Sequence, residues 1–197
     1  MAVPQHAVSI APRRTVGLRG HPVLGLLLIV LAVVVIVQER AFRTVEATLM
    51  APLLSAVLTG GAVPVDTAVM IGIGQSDVYR LAITSMCSTA VLFVPLLALA
   101  GLILLGPRFR LRRVFAGLGV GLMISLVANF GRYALAAWAL ETFGLEGFDV
   151  VHRWAGSLLV IFAFAFAFFV MLKIATGGGR QPAAKGPRRG IQPTDPA

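Results

Sequence analysis

The sequence predicts an all-α integral membrane protein with about four transmembrane helices. Of its 197 residues, 58% are hydrophobic and 13% are charged, and this composition is not that of a water-soluble globule. A span needs roughly 20 mostly apolar residues. Four stretches qualify, at residues 22–38, 90–106, 114–140 and 154–174. We therefore expect a polytopic membrane domain over residues 22–174.

The two ends of the chain differ from this domain in composition. Residues 1–21 form a polar leader, and residues 175–197 are rich in Gly, Pro, Lys and Arg. Both lack core-forming residues, which predicts disordered segments on the cytoplasmic side. No Ala-x-Ala cleavage pattern follows Gln38, so we expect the first apolar stretch to be a retained anchor rather than a signal peptide.

The segment between the first two spans, residues 39–89, is too long for a bare loop. Apolar residues recur in its first part at helical spacing, at Val45, Leu49, Leu53, Leu54 and Leu58. With Pro52 and Gly60-Gly61 as breaks, this pattern predicts a short amphipathic helix at the interface on the outer side of the membrane.

Two β-branched runs follow this helix, at residues 63–74 and 77–83. They are joined around Gly74-Gln75-Ser76-Asp77, a sequence of turn-forming residues. This pattern predicts a β-hairpin that leads into the only cysteine of the chain, Cys87. An irregular loop is the alternative, because strand predictions on short segments are weak.

The distribution of charge predicts the orientation in the membrane. Most of the 17 Lys and Arg residues lie in the leader, in the connection between the second and third spans, and in the tail. Most acidic residues lie instead in residues 39–89 and 141–153. Because basic loops stay in the cytoplasm, we expect both termini to be cytoplasmic and residues 39–89 to be extracytoplasmic. This topology and attraction to anionic lipid explain the net charge of +9, so no nucleic-acid partner is expected.

Three chemically active side chains come to the outer level of the membrane in this topology. Cys87 precedes the second span and His152 precedes the fourth, whereas Arg132 lies about 18 residues, or roughly 27 Å, into the third. An arginine within a span costs at least about 2.5 kcal/mol and marks function by default; snorkelling to the headgroups is the alternative. Asn129 lies on the same face as Arg132.

Together these residues fit nucleophilic catalysis. A cysteine attacks as the thiolate and needs a base or a positive neighbour. His152 is the candidate base, and Arg132 is the candidate group that holds the thiolate or an oxyanion. Ser88 and Asn129 are supporting candidates. Taken singly, Cys87 reads as a small buried hydrophobe and His152 as an interfacial histidine beside Trp154.

Three short motifs resemble those of the exosortase/archaeosortase family. They are Met86-Cys87-Ser88-Thr89, Asn129-Phe130-Gly131-Arg132 and His152-Arg153-Trp154-Ala155-Gly156. The resemblance covers roughly residues 46–170. It implies a plasma-membrane cysteine transpeptidase of prokaryotes that cleaves C-terminal sorting signals of exported proteins through a thioester. The implied catalytic residues are Cys87, Arg132 and His152, and the implied partner is a membrane-anchored substrate.

The chain departs from the family pattern in two ways. Many members have Cys-Ser-Gly where this chain has Thr89 after Cys87-Ser88, which leaves the turn geometry open. Many members also have more than four spans, so this chain resembles a short form. No cofactor and no metal site are expected, since His6, His21 and His152 are scattered along the sequence.

Two other function classes remain as alternatives. One is a non-enzymatic membrane subunit or small transporter, in which Arg132 and Asn129 line a polar path. The gathering of polar residues at the outer boundary rather than the midplane argues against it. The other is an intramembrane serine protease using Ser125 or Ser157, which lacks a nucleophile elbow or a serine-lysine arrangement.

Overall fold

The computed structural model describes residues 21–75, 77–106 and 109–177. Its helices and strands, in chain order, are α1 (Pro22–Val37), α2 (Glu39–Val57), β1 (Gly61–Val65), β2 (Ala68–Ile73), β3 (Tyr79–Ala82), α3 (Ala90–Leu105), α4 (Leu111–Val150) and α5 (Gly156–Thr176). The protein is mostly helical with one small sheet, which lies where the sequence predicts a β-hairpin. The predicted disordered leader except His21, most of the predicted basic tail, and Arg108 lie outside the described residues.

Each of the four predicted apolar stretches forms a helix, as α1, α3, α4 and α5. One helical run of the described residues, Leu111–Thr176, is long and apolar enough to cross a membrane, and the bent pair of α1 and α2 qualifies only if counted as one span. The run Leu111–Thr176 folds back on itself, because Gly117 of α4 lies against Met171 of α5. It therefore consists of two antiparallel helices.

The turn between α4 and α5 differs from the predicted loop at residues 141–153. Helical structure continues through it, interrupted at Gly144, whose φ of 68° lies in the left-handed region. A π-helical turn at Val151–Ala155 then leads into α5. Glycine adopts positive φ without a Cβ penalty, so Gly144 allows a sharp break between two helical segments at this point.

Helices α1 and α3 form a second antiparallel pair. Gly25 and Gly101 lie so close that a Cβ on either would sit 2.7 Å from the carbonyl oxygen of the other. The backbone N–H of His21 also donates to the carbonyl of Leu104 at 3.1 Å. After Val37 the chain bends by 80° into α2, which takes α2 away from the axis of α1.

Helix α2 confirms the predicted helix but not its predicted limits or face. Pro52 lies inside α2 rather than ending it. The predicted apolar stripe is divided, since Leu54 and Leu58 are buried whereas Val45, Leu49 and Leu53 are exposed. The buried face consists of Glu46, Ala47, Met50, Ala51 and Leu54. An apolar face therefore stays uncovered, as expected for a helix at a membrane surface.

The predicted hairpin is a three-stranded antiparallel sheet in the order β1-β2-β3. The run at residues 63–74, predicted as one strand, contains a turn at Asp66, whose φ is 54°. Asp tolerates this left-handed conformation better than most residues. The turn predicted after Gly74 falls between β2 and β3, with its residue Ser76 outside the described residues. The sheet packs on α2.

Two clusters of buried residues make up the core. One joins α2, the sheet and the later part of α4, and it includes Cys87 and Tyr133. The other joins α1, α3, the early part of α4 and α5. Helix α2 and the sheet together form a cap over one end of the paired apolar helices, and Cys87 lies where this cap meets them.

Candidate active site

The structure brings Cys87, Arg132 and His152 together. The Arg132 Nη2 lies 3.6 Å from the Cys87 Sγ, and the His152 Nε2 lies 3.7 Å from the same sulfur. Three separate elements supply them: the turn before α3, helix α4 and the π-helical turn before α5. Cys87 and Arg132 are buried, at 9% and 8% exposed, and His152 is half-buried.

A 3-10 turn at Ser85–Cys87 positions the cysteine directly before α3. The carbonyl of Thr84 accepts hydrogen bonds from the backbone N–H groups of Cys87 and Ser88, each at 3.0 Å. The N–H of Ala90 donates to the Ser88 Oγ at 3.2 Å. This turn holds the thiol at the start of the helix.

The backbone carbonyl of Cys87 is held by two side chains of α4. Asn129 Nδ2 donates to it at 3.0 Å, and the Tyr133 hydroxyl donates at 2.9 Å. Asn129, expected to support the site, therefore contacts the cysteine residue itself. Tyr133 was missed by sequence reasoning, although it lies four residues after Asn129 and so on the same helical face.

Glu46 of α2 holds the two residues that follow the cysteine. Its carboxylate accepts hydrogen bonds from the Ser88 Oγ at 2.5 Å, from the Thr89 backbone N–H at 2.7 Å, and from the Thr89 hydroxyl. Glu46 is almost fully buried. Sequence reasoning counted it only as an outer acidic residue. A signal was present, because Glu46 shares a helical face with the apolar residues Met50 and Leu54.

Thr89, which stands where many members of the resembled family have glycine, belongs to this network. Its hydroxyl donates to Glu46, and its Oγ1 also accepts a hydrogen bond from Asn129 Nδ2 at 3.0 Å. A glycine would remove this link between α2 and α4. The turn beside Cys87 is therefore fixed by side chains here.

The Arg132 side chain passes close to α5. A Cβ on Gly156 would lie 2.7 Å from the Arg132 Cγ and 3.2 Å from its Nε. Only glycine leaves room for the arginine at this contact. Within the described residues, the buried Nε has no hydrogen-bond partner. A guanidinium carries five N–H donors, so Arg132 retains donors for another ligand.

The His152 ring stacks on Phe148, with centroids 5.1 Å apart and planes 9° from parallel. Burial, and secondarily the positive charge of Arg132, lower the pKa of His152 from its usual value. The imidazole is therefore neutral near pH 7 and able to accept a proton. Its Nδ1 has no hydrogen-bond partner in the described part of the chain, so the stack, rather than a third polar group, orients the ring.

No group of three or more His, Cys, Asp or Glu side chains among the described residues is arranged to hold a metal ion. The chemistry available is that of a thiol, an imidazole and a guanidinium.

No family model, no curated protein and no solved structure matches this chain.

Proposed function

We propose that this protein is a membrane-embedded cysteine transpeptidase or protease that cleaves the C-terminal sorting signals of exported proteins. The observation that carries this proposal is the placement of Arg132 and His152 within 3.7 Å of the Cys87 sulfur. A base and a cation around one thiol is the arrangement that nucleophilic catalysis by cysteine requires. The three motifs that resemble the exosortase/archaeosortase family supply the substrate class.

The proposed reaction begins with transfer of the Cys87 thiol proton to His152 Nε2. The thiolate attacks the carbonyl carbon of the scissile peptide bond, and the negative charge passes to the carbonyl oxygen. When the tetrahedral intermediate collapses, the carbon–nitrogen bond breaks and His152 returns the proton to the leaving amine. The product is a thioester on Cys87, which water or an acceptor nucleophile then resolves with release of the thiol.

Arg132 is the proposed donor to the oxyanion. The backbone N–H groups of residues 87–90 are all engaged, by the Thr84 carbonyl, by Glu46 and by the Ser88 hydroxyl. They are therefore not free to form an oxyanion hole of backbone amides. A buried guanidinium with unused N–H donors supplies the same stabilisation, and removal of one such donor typically costs about 10²–10³ in rate.

We further propose that α1, α3, α4 and α5 cross the plasma membrane of a prokaryotic cell, with both termini in the cytoplasm. Large apolar side chains on these helices are exposed to the surroundings of the protein, as in Leu27, Val34, Leu102, Met123 and Phe166. Lys173 near the end of α5, and Arg110, Arg112 and Arg113 at the start of α4, lie at the end of the helices opposite Cys87. By the preference of basic loops for the cytoplasm, the site is extracytoplasmic.

The alternative of a transport or scaffold subunit is less well supported. It requires Asn129 and Arg132 to line a polar path, yet Asn129 donates to the Cys87 carbonyl and to Thr89. Arg132 in turn contacts the sulfur. Both polar groups are used to build a site around one thiol, which favours catalysis over conduction.

The experiment is co-expression with an exported protein from the same genome that ends in a short motif, an apolar helix and a basic cluster. We expect Cys87→Ala to abolish removal of that tail, measured as the mass of the exported protein. Ser85→Ala, an exposed position in the same turn, is the matched control and should retain full activity. Tail removal at the normal rate in Cys87→Ala would refute the assignment of the thiol and favour the subunit alternative.

A further inference from the structure

A cleft of about 230 Å³ lies between α3 and α5, directly beside the candidate active site. Its two walls are apolar and consist of Val91, Leu92, Val160, Ile161 and Phe164. Asn129 and Arg132 of α4 contribute its floor. Since Arg132 also reaches the Cys87 sulfur, any molecule in the cleft lies next to the nucleophile.

Farther from Cys87 than the residues that line the cleft, α3 and α5 converge on Gly121 of α4. A Cβ on Gly121 would lie 3.6 Å from the side chains of both Leu96 and Met171, and both are fully buried. Nearer to Cys87 the two walls stand apart, with Val91 48% and Ile161 61% exposed. The cleft thus opens sideways onto the apolar surface of the helices.

Arg132, which contributes to the floor of the cleft, has an unused donor. Its buried Nε lacks a hydrogen-bond partner within the described residues. Unpaired buried polar groups are costly. The site therefore suits an occupant with an apolar body and an oxygen acceptor near Arg132.

The size of the cleft limits the kind of occupant. Its volume of about 230 Å³ is below the roughly 300–1,000 Å³ of a small-molecule pocket, and it is open along one side. Such a groove fits the side chains of an extended or helical polypeptide segment that lies along it. A compact small molecule bound in this open groove would leave most of its own surface uncovered.

We propose that this cleft binds the apolar segment that follows the scissile bond of a polypeptide substrate, with the carbonyl oxygen of that bond at Arg132. The inference rests on the proposed function, because it takes Cys87 as the nucleophile. The cleft runs from Met86 and Ser88, the neighbours of Cys87, along α3 and α5 to Phe164, so a substrate bond held at the sulfur has room in the cleft for one of its two sides. Its apolar walls suit the side that continues into the membrane.

The test uses a reactive peptide that does not require turnover. The probe is a Leu/Ala-rich peptide of about 12 residues with an N-terminal bromoacetyl group and a C-terminal Lys tag. The Cys87 sulfur displaces bromide from the methylene carbon of the probe. The apolar peptide then lies on the side where the segment that follows the scissile bond of a substrate would lie. Bromoacetamide carries the same reactive group without the peptide. Cys87 is the only cysteine, so labelling is measured by intact mass in detergent.

Three tryptophan variants separate the cleft from the general apolar surface. Ile161→Trp and Val91→Trp fill it from opposite walls, whereas Phe162→Trp is the matched control at a neighbouring exposed position outside the lining. We expect the rate for the peptide, divided by that for bromoacetamide, to fall about tenfold in both wall variants and to stay unchanged in the control. Because the same sulfur attacks both reagents, altered reactivity of Cys87 itself cancels in this ratio.

An unchanged ratio in both wall variants, or an equal fall in Phe162→Trp, would overturn the proposal. The proposal would also be overturned if added phosphatidylglycerol abolished the preference for the peptide over bromoacetamide in the parent protein, since a lipid would then be the occupant of the cleft. The result is independent of tail removal. If Cys87→Ala blocks tail removal but the ratio does not respond, only the cleft assignment fails; if the ratio responds without any tail removal, the proposed function fails.

Discussion

The carboxylate of Glu46 accepts a hydrogen bond from the backbone N–H of Thr89 at 2.7 Å, across 43 positions of sequence. This bond joins the cap formed by α2 and the sheet to the first turn of α3. It satisfies one of the N–H groups that the start of a helix leaves without an intrahelical partner. Cys87 lies two residues before Thr89, so the same bond holds the segment that carries the proposed nucleophile.

We expect Glu46→Ala to destabilise the protein by about 1–3 kcal/mol, because a buried N–H and two hydroxyl groups lose their acceptor. The measurement is the Tm in detergent. Glu46→Gln keeps an acceptor oxygen, so its Tm should fall less than that of Glu46→Ala. This variant also tests whether Glu46 positions the Cys87 segment, since it should lower kcat for tail removal and leave KM nearly unchanged.

Glu141 provides the matched control for Glu46. Its carboxylate likewise accepts backbone N–H groups, from Thr59 and Gly60, but it is exposed. Water can replace it there, so Glu141→Ala should lower the Tm less than Glu46→Ala. Equal losses in the two variants would show that the burial of Glu46 adds nothing.

Replacement of Gly156 should disturb Arg132 from the neighbouring helix. In Gly156→Ala the new Cβ would lie 2.7 Å from the Arg132 Cγ, so the arginine must move. Displacement by about 1 Å can cost up to about 100-fold in rate, and we expect tail removal to fall by about 10- to 100-fold. The rate is measured by pulse labelling of the co-expressed substrate.

Gly131→Ala is the control for this contact. Gly131 directly precedes Arg132, but a Cβ there meets nothing within 4 Å. Alanine also favours a helix interior over glycine by about 0.8–1.0 kcal/mol, so this variant should be as active and at least as stable as the parent. Equal loss of activity in Gly131→Ala and Gly156→Ala would contradict the steric account.

Arg132→Lys should fail nearly as badly as Arg132→Ala, with a loss of about 10²–10³ in rate. The Arg132 Nη2 already contacts the Cys87 sulfur, and the planar fork has further donors for the substrate oxygen. A lysine is a compact point charge that cannot reproduce this geometry. Single-turnover tail removal is the measurement. Full activity with lysine would restrict the role of residue 132 to its charge.

His152 should titrate below the usual histidine pKa of about 6.5. Burial lowers its pKa most, followed by the charge of Arg132. Imidazole NMR on the protein, with the signal assigned by comparison with His152→Ala, measures the midpoint. Arg132→Gln should raise the midpoint only in part, because the larger cause, burial, remains. A midpoint at or above 6.5 in the parent protein would contradict the neutral base.

The same shift sets the sign of the pH dependence of stability. The folded state binds the His152 proton less readily than the unfolded state, so the unfolded chain gains the proton first as the pH falls. The contribution of neutral His152 to the free energy of unfolding is complete above about pH 6.5. It declines as the pH drops toward the pKa of His152 in the folded state. Tm measured from pH 7.5 to 5 should fall less in His152→Ala than in the parent.

Much of this site could be predicted from the sequence. Charge distribution and helix length brought Cys87, Arg132 and His152 to one level, and all three lie together. The helical stretches were also predicted, because apolar runs of this length form helices when their backbone groups must be paired within the segment. The turn at Asp66 and the break at Gly144 were not foreseen, since each depends on a single residue that adopts positive φ.

The sequence by itself determined which segments are apolar helices and which three side chains are the candidates for catalysis, because composition, charge and spacing are local properties of the chain. Only the tertiary structure decided how Cys87 is held. The 80° bend between α1 and α2 returns Glu46 to Ser88 and Thr89, and the antiparallel packing of α4 and α5 places Gly156 against Arg132. These contacts join distant positions, and their geometry follows from packing rather than from any local pattern.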